Sequence, residues 1–150
     1  MSTSSLLNRS VPVSSILPHI VYRSVTDAGA WLGSVFGFVE QYRYGEPVSG
    51  IQMHLEGAYI MLVGARAGRE SPAVLGATSQ MLTVFVSDVD AHYRKSKQAG
   101  AKIWEEVHET VYGERQYGAE DLDGHQWLFS QHIRDVDPAG WGATVADFHR

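Results

Sequence analysis

Between Met53 and Val63 the side chains alternate. Met53, Leu55, Ala58, Ile60 and Leu62 fall on one side, and His54, Tyr59, Met61 and Val63 on the other. A Glu56-Gly57 turn pairs Leu55 with Ala58 and His54 with Tyr59, so the two runs read as a β-hairpin. The pattern returns near the other end of the chain, in "DLDGHQWLFS". There an Asp123-Gly124 turn predicts that Leu122 pairs with His125 and Asp121 with Gln126. Alternation then places Trp127 and Phe129 with Leu82, Val84 and Val86 on an apolar side. Arg115, Tyr117, Gln126, Leu128 and Ser130 join Met81, Thr83 and Phe85 on a mixed side.

Helical spacing interrupts the strands twice. Trp31, Leu32, Val35 and Phe36 predict a helix over 26–36 that Gly37 stops, after a buried strand over 16–23 whose Leu17, His19 and Val21 join the mixed side. "MLTVFVSDVD" predicts a second strand, and Asp88 caps a helix that runs to Gly100 with Val89, Tyr93, Ser96 and Ala99 facing the core. "VEQYRY", "GIQMHLE" and "AYIMLVGA" follow the first helix, and "KIWEEVHE", "ERQYGAEDL" and "HQWLFSQH" the second. Each half therefore reads β-α-β-β-β, and the chain is an internal repeat.

The organisation is a flexible lead over 1–14, a first module over 15–66, a Gly/Ser/Pro-containing linker over 67–79, a second module over 80–132 and an irregular tail over 133–150. In that tail Trp141 and Phe148 are expected to pack on the body or on a partner chain. The fold class is α+β, with the two repeats forming a curved mixed sheet, a cup with the helices outside.

Composition narrows the function. A hydrophobic fraction of 44% supports a packed core, and the formal net charge of −5, with no basic run, argues against nucleic acid. No apolar run is long enough to cross a bilayer, and the Ser-rich start lacks the apolar core of a signal peptide. Cysteine is absent, which excludes disulfides, thiolate metal sites and a cysteine nucleophile and fits a cytoplasmic location.

Several stretches carry a family resemblance. "WLGSVFGF", "VFVSDVDAHYRKSKQAGAK" and "YGERQYGAEDLDGHQWLF", in this order and within paired β-α-β-β-β halves, resemble the vicinal oxygen chelate superfamily. That superfamily includes glyoxalase I, bleomycin resistance proteins and extradiol dioxygenases, and the resemblance is closest to the glyoxalase-like subgroup. It implies one metal ligand on the first and one on the last strand of each half, usually His or Glu. Carried over, these positions fall on Leu17, Met61, Met81 and Leu128. Neither Leu nor a Met thioether suits a hard or borderline divalent ion. The expectation is a site without metal or other cofactor.

The mixed side has apolar walls with scattered donors and acceptors, as a small-molecule pocket does. Its candidate ligand-binding residues are Leu17, His19, His54, Tyr59, Met61, Met81, Thr83, Phe85, Arg115, Gln126 and Leu128. His19 is the candidate general base, and Arg115 could clamp an anion or pair with a nearby carboxylate. His125, Asp121 and Asp123 read as turn residues, and Glu105, Glu106 and Glu109 as a solvated face. Three readings follow. One is a binding or sequestering protein resembling the resistance proteins, which commonly dimerise, its negative charge suiting a cationic ligand. Another is a lyase, isomerase or dioxygenase with a metal relocated to His19, His54 and His132, or with acid/base catalysis by His19. The third is a ligand-free dimeric structural domain.

Overall fold

The two helices that cover the sheets are set by their ends. Ser24 precedes the first and its hydroxyl accepts the backbone N–H of Asp27, while Gly37 closes it at φ +83°. Asp88 precedes the second, its carboxylate accepting the N–H of Ala91 at 3.1 Å. Such caps satisfy backbone groups that have no partner within the helix. The computed structural model describes residues 7–9, 11 and 15–146, and divides into two units at Ala77/Thr78.

The first unit runs β1 (His19–Tyr22), α1 (Val25–Phe36), β2 (Val39–Tyr44), β3 (Gly50–Leu55) and β4 (Ala58–Gly64), followed by the short α2 (Pro72–Leu75). Its sheet order is β1-β4-β3-β2, with β1 parallel to β4 and the other pairs antiparallel. The second unit repeats the plan with β5 (Met81–Phe85), α3 (Val89–Gln98), β6 (Lys102–Glu109), β7 (Glu114–Glu120) and β8 (Gln126–His132), in the order β5-β8-β7-β6. The chain is thus α+β, two β-α-β-β-β repeats with a four-stranded mixed sheet in each. No helix among the described residues is long and apolar enough to cross a membrane.

Burial follows the alternation. Under α1 lie Ile20, Tyr22, Ile51, Met53, Ile60 and Leu62, all buried. The helix approaches so closely that a Cβ on Gly29 would lie 3.0 Å from Ile51 Cδ1. Under α3, Trp127 and Phe129 are fully buried beside Val84 and Tyr117.

The first hairpin has the expected register, Leu55 opposite Ala58 and His54 opposite Tyr59. The second does not. Glu120, not Asp121, pairs with Gln126. The reason is Asp121, whose buried carboxylate organises the loop from inside. Oδ1 accepts the N–H groups of Asp123 and His125, each at 3.0 Å, and Oδ2 accepts the Trp127 indole N–H at 3.1 Å. The loop therefore spans Asp121–His125, and Asp123-Gly124 is not a two-residue turn.

That single-residue shift exchanges the faces of β7. Arg115, Tyr117 and Ala119 lie on the α3 side with Trp127 and Phe129, while Gln116 and Gly118 take the outer side. Tyr117 OH donates to Ser96 Oγ at 3.0 Å and lies 2.5 Å from His92 Nδ1. Burial pushes its phenol well above the ordinary value.

Other boundaries move as well. β1 is shorter than the expected 16–23, and α1 starts at Val25. The linker is not all loop, since Ser71 caps α2 and Pro72 occupies its first turn. Ala99 is exposed, and Trp31 is half-buried, edge-on to Phe36 at 4.9 Å. The tail forms a 3-10 turn at Pro138–Trp141, where Trp141 meets Tyr112 at 5.7 Å. Ile133 N–H donates to Gly113 O at 2.9 Å, and a Cβ on Gly113 would sit 2.1 Å from Arg134 O. Phe148 and most of the N-terminal lead lie outside the described residues.

Candidate functional site

Each sheet has a second face, turned away from its helix, and the registers list what stands on it. In the first sheet Tyr42, Gln52, Met61 and His19 form one cross-strand row, and Tyr44, Gly50, Val63 and Val21 the next. A third row holds Val39, His54 and Tyr59. Val21, Met61 and Val63 form a buried cluster on which Leu17 and Tyr42 pack. The Tyr44 ring lies over Gly50, where an added Cβ would come within 2.2 Å of it and displace the ring.

Among the described residues, Gln52 Oε1 and His54 Nδ1 on this face are buried without a hydrogen-bond partner, as is Gln41 Oε1 on β2. The Gln52 side chain is 0% exposed, and its amide N–H donates to Tyr42 OH at 3.1 Å. Either orientation of the amide leaves one of its ends unpaired. His54 stacks on Tyr59 with ring centroids 5.1 Å apart. An unpaired buried acceptor costs on the order of 1–3 kcal/mol. Such atoms mark a place where a bound group with a donor would be stabilised.

The second sheet's outer face has matching rows. Glu105, Gly118, Leu128 and Thr83 align, as do His108, Gln116, Ser130 and Phe85, and Glu120, Gln126 and Met81. Gln116 and Ser130 are buried and joined, Ser130 Oγ donating to Gln116 Oε1 at 2.8 Å. Met81 is 45% exposed and Phe85 57%. The Trp104 indole lies over Gly118, as Tyr44 does over Gly50.

The expected residues thus divide. Leu17, His19, His54, Tyr59 and Met61 share the first sheet's outer face, and Met81, Thr83, Phe85, Gln126 and Leu128 share the second's. Arg115 stands apart on the α3 side. Its guanidinium holds Asp90 with contacts of 2.9–3.1 Å, which lowers the Asp90 carboxyl below its ordinary value. His19 is exposed and makes no hydrogen bond to another described residue that would orient it as a base. His132, at the end of β8, is 3.0 Å from Glu114 Oε2. Glu105 likewise meets His108 at 2.9 Å, and Glu106 meets Tyr93 OH.

Gln52, Tyr42, Gln116 and Trp104 were not among the sequence candidates. Gln52 carried a usable signal, because it stands two residues before His54 in an alternating strand. Gln116 was hidden by the hairpin register.

The donor set can be compared with the metal that the family resemblance implies. Leu17, Met61, Met81 and Leu128 offer two thioethers and two hydrocarbon chains, and the rows beside Leu128 add one carboxylate–imidazole pair, Glu105 with His108. Among the described residues no three His, Asp or Glu side chains are grouped to hold a metal ion. These residues do not fit a hard or borderline divalent ion.

Known proteins share this plan. TioX from Micromonospora sp. ML1 is 29% identical, with a TM-score of 0.68 over 80% of this chain and 99% of its own. The fosfomycin resistance protein FosX from Listeria monocytogenes shares the fold at 16% identity and a TM-score of 0.59, over 79% of this chain and 92% of its own. An uncharacterized protein of Mycobacterium bovis is 28% identical over 131 residues, 82% of this chain and 86% of that protein. The family described as Glyoxalase/Bleomycin resistance protein/Dioxygenase superfamily matches residues 16–129. With that match spanning most of the chain, the protein belongs to the Glyoxalase/Bleomycin resistance protein/Dioxygenase superfamily.

Proposed function

We propose that this protein binds a small organic molecule without a metal, on a pocket walled by the outer face of the first sheet. The observation that carries the reading is the pairing of an apolar cluster, Val21, Met61 and Val63, with the buried unpaired atoms Gln52 Oε1 and His54 Nδ1. Apolar walls supply affinity, and a few fixed polar atoms orient the guest. The ligand is a largely apolar molecule, neutral or cationic, whose N–H or O–H reaches Gln52. The apolar residues at the four usual ligand positions support binding or sequestration over metal-assisted catalysis.

The second sheet's exposed Met81 and Phe85 favour a further element of the proposal, a homodimer that covers them. The cytoplasm, which suits a cysteine-free chain, is the proposed location.

The test combines elemental analysis with a ligand screen. The purified protein is expected to hold no stoichiometric metal, and Zn²⁺, Mn²⁺, Fe²⁺ or Ni²⁺ to leave its melting temperature unchanged. Apolar cations and neutral aromatics are then screened by tryptophan emission. Gln52→Leu is expected to weaken any hit by about tenfold, the value of one well-placed hydrogen bond, without lowering the melting temperature. One tightly held ion per chain overturns the metal-free reading. Full affinity in Gln52→Leu moves the pocket elsewhere.

A further inference from the structure

Beyond β4 the chain reverses at Ala67-Gly68, with Gly68 at φ +85°. Arg66 and Arg69 bracket the turn and exchange both backbone hydrogen bonds, Arg66 N–H to Arg69 O at 3.1 Å and Arg69 N–H to Arg66 O at 2.8 Å. Residues paired in this way send their side chains to the same side of the bridge. Like charges placed so repel one another.

Among the described residues no carboxylate is bonded to either arginine. Neither arginine side chain makes a hydrogen bond or ion pair with another described residue. The adjacent carboxylate, Glu70, turns to the backbone instead, Oε1 accepting the Ser71 N–H at 3.1 Å. The whole chain carries a formal charge of −5, yet these two cations stand on the same side of one backbone bridge.

The turn also lines an open groove of about 700 Å³, walled by Arg66, Gly68, Arg69, Glu70, Ala65 and Leu75. Leu75, on α2, is 65% exposed and gives the groove an apolar wall.

We propose that the Arg66/Arg69 turn is a binding site for an oxyanion, a phosphate or carboxylate seated between the two guanidiniums. The groove then takes the apolar part of an organic ester against Leu75. Guanidinium is suited to this task, because its fork of N–H donors matches the spacing of phosphate and carboxylate oxygens. The site shares no residue with the outer face of the first sheet and does not depend on the pocket proposed there.

Amide chemical shifts of the full chain, titrated with inorganic phosphate and separately with phenyl phosphate at ionic strength matched with chloride, test it. Saturable shifts confined to residues 65–70 are expected. The double variant Arg66→Gln/Arg69→Gln is expected to bind phosphate about tenfold or more weakly, since both charge-assisted contacts are gone. Without phosphate its melting temperature holds or rises, because the repulsion is removed. Tighter binding of phenyl phosphate, with added shifts at Leu75, identifies an organic ester as the ligand, and equal binding identifies the free anion. No saturable shift at 65–70, or equal phosphate affinity in the variant, overturns the proposal.

Discussion

The two units share a strand order and differ in what they protect. In the first, the part of the outer sheet face on β1 and β4 is covered at Val21, Met61 and Val63, 6–8% exposed, while Val39 and Tyr44 on the edge strand β2 are about half exposed. In the second, Gln116 and Ser130 of the matching rows are buried, but Met81 and Phe85 on β5, the counterpart of β1, are near half exposed. The closing hairpins differ in the opposite sense. The first is a two-residue turn with Glu56 in the left-handed region at φ +50°. The second is a longer loop knotted around the Asp121 carboxylate. A repeated backbone plan thus leaves side chains free to specialise, because strand pairing uses main-chain groups that every residue supplies.

The largest effects should fall on the second hairpin. Trp127→Ala is expected to destabilise by about 3–5 kcal/mol, the range for emptying a fully buried aromatic site. Asp121→Ala strips two backbone N–H groups and the indole of their acceptor and should cost about 3 kcal/mol. Glu56→Ala, its counterpart in the first hairpin, should cost less than about 1 kcal/mol, in the range of an ordinary surface change. Urea denaturation of the three variants checks the contrast, and equal losses for Asp121 and Glu56 would erase it.

Next comes the contrast of faces. Met61→Ala should cost about 2–5 kcal/mol, as truncation in a packed cluster does. Met81→Ala should stay within about 0.5 kcal/mol if its face is open in solution. A large cost for Met81, rising with protein concentration, would instead show that face to be covered by a second chain.

A smaller gain is expected from Glu56→Gly. Glycine enters the left-handed region without the steric cost an L side chain meets, so stability should rise by about 1 kcal/mol. A neutral or negative result would mean that the Glu56 side chain contributes as much as the turn strains it.

The smallest effect concerns Asp90. Its carboxyl titrates below the ordinary value because Arg115 donates to it. A lowered folded-state pKa stabilises at neutral pH, and the benefit disappears as pH falls through the acid range. Asp90→Asn should therefore flatten the loss of melting temperature below about pH 4, where a free aspartate titrates. Unchanged acid sensitivity would place the effect elsewhere.

Much of this was legible in the sequence. Side-chain alternation located β3, β4 and β6: in β6 exposure itself alternates, while β3 and β4 are buried on both faces and were marked by the apolar-against-mixed alternation around the Glu56-Gly57 turn. The Gly37 stop and the Asp88 cap were readable because few residues serve those backbone positions. The second hairpin was misread for a physical reason. Asp-Gly usually marks a two-residue turn, and no local rule reveals that Asp121 reaches forward to the indole of Trp127. The slip put Arg115 and Tyr117 on the wrong face and concealed Gln116. The unpaired state of Gln52 was illegible for another reason: partners depend on three-dimensional neighbours, and residue type alone does not specify them.

The hydrogen bond from the Trp127 indole to Asp121 also gives the molecule an internal clock. A fully buried N–H held by a carboxylate meets solvent deuterium only when the surrounding structure opens. Its proton resonance should outlast those of the half-exposed Trp31, Trp104 and Trp141 by a wide margin. The time it takes to fade measures how often the closing hairpin of the second unit lets go of the core.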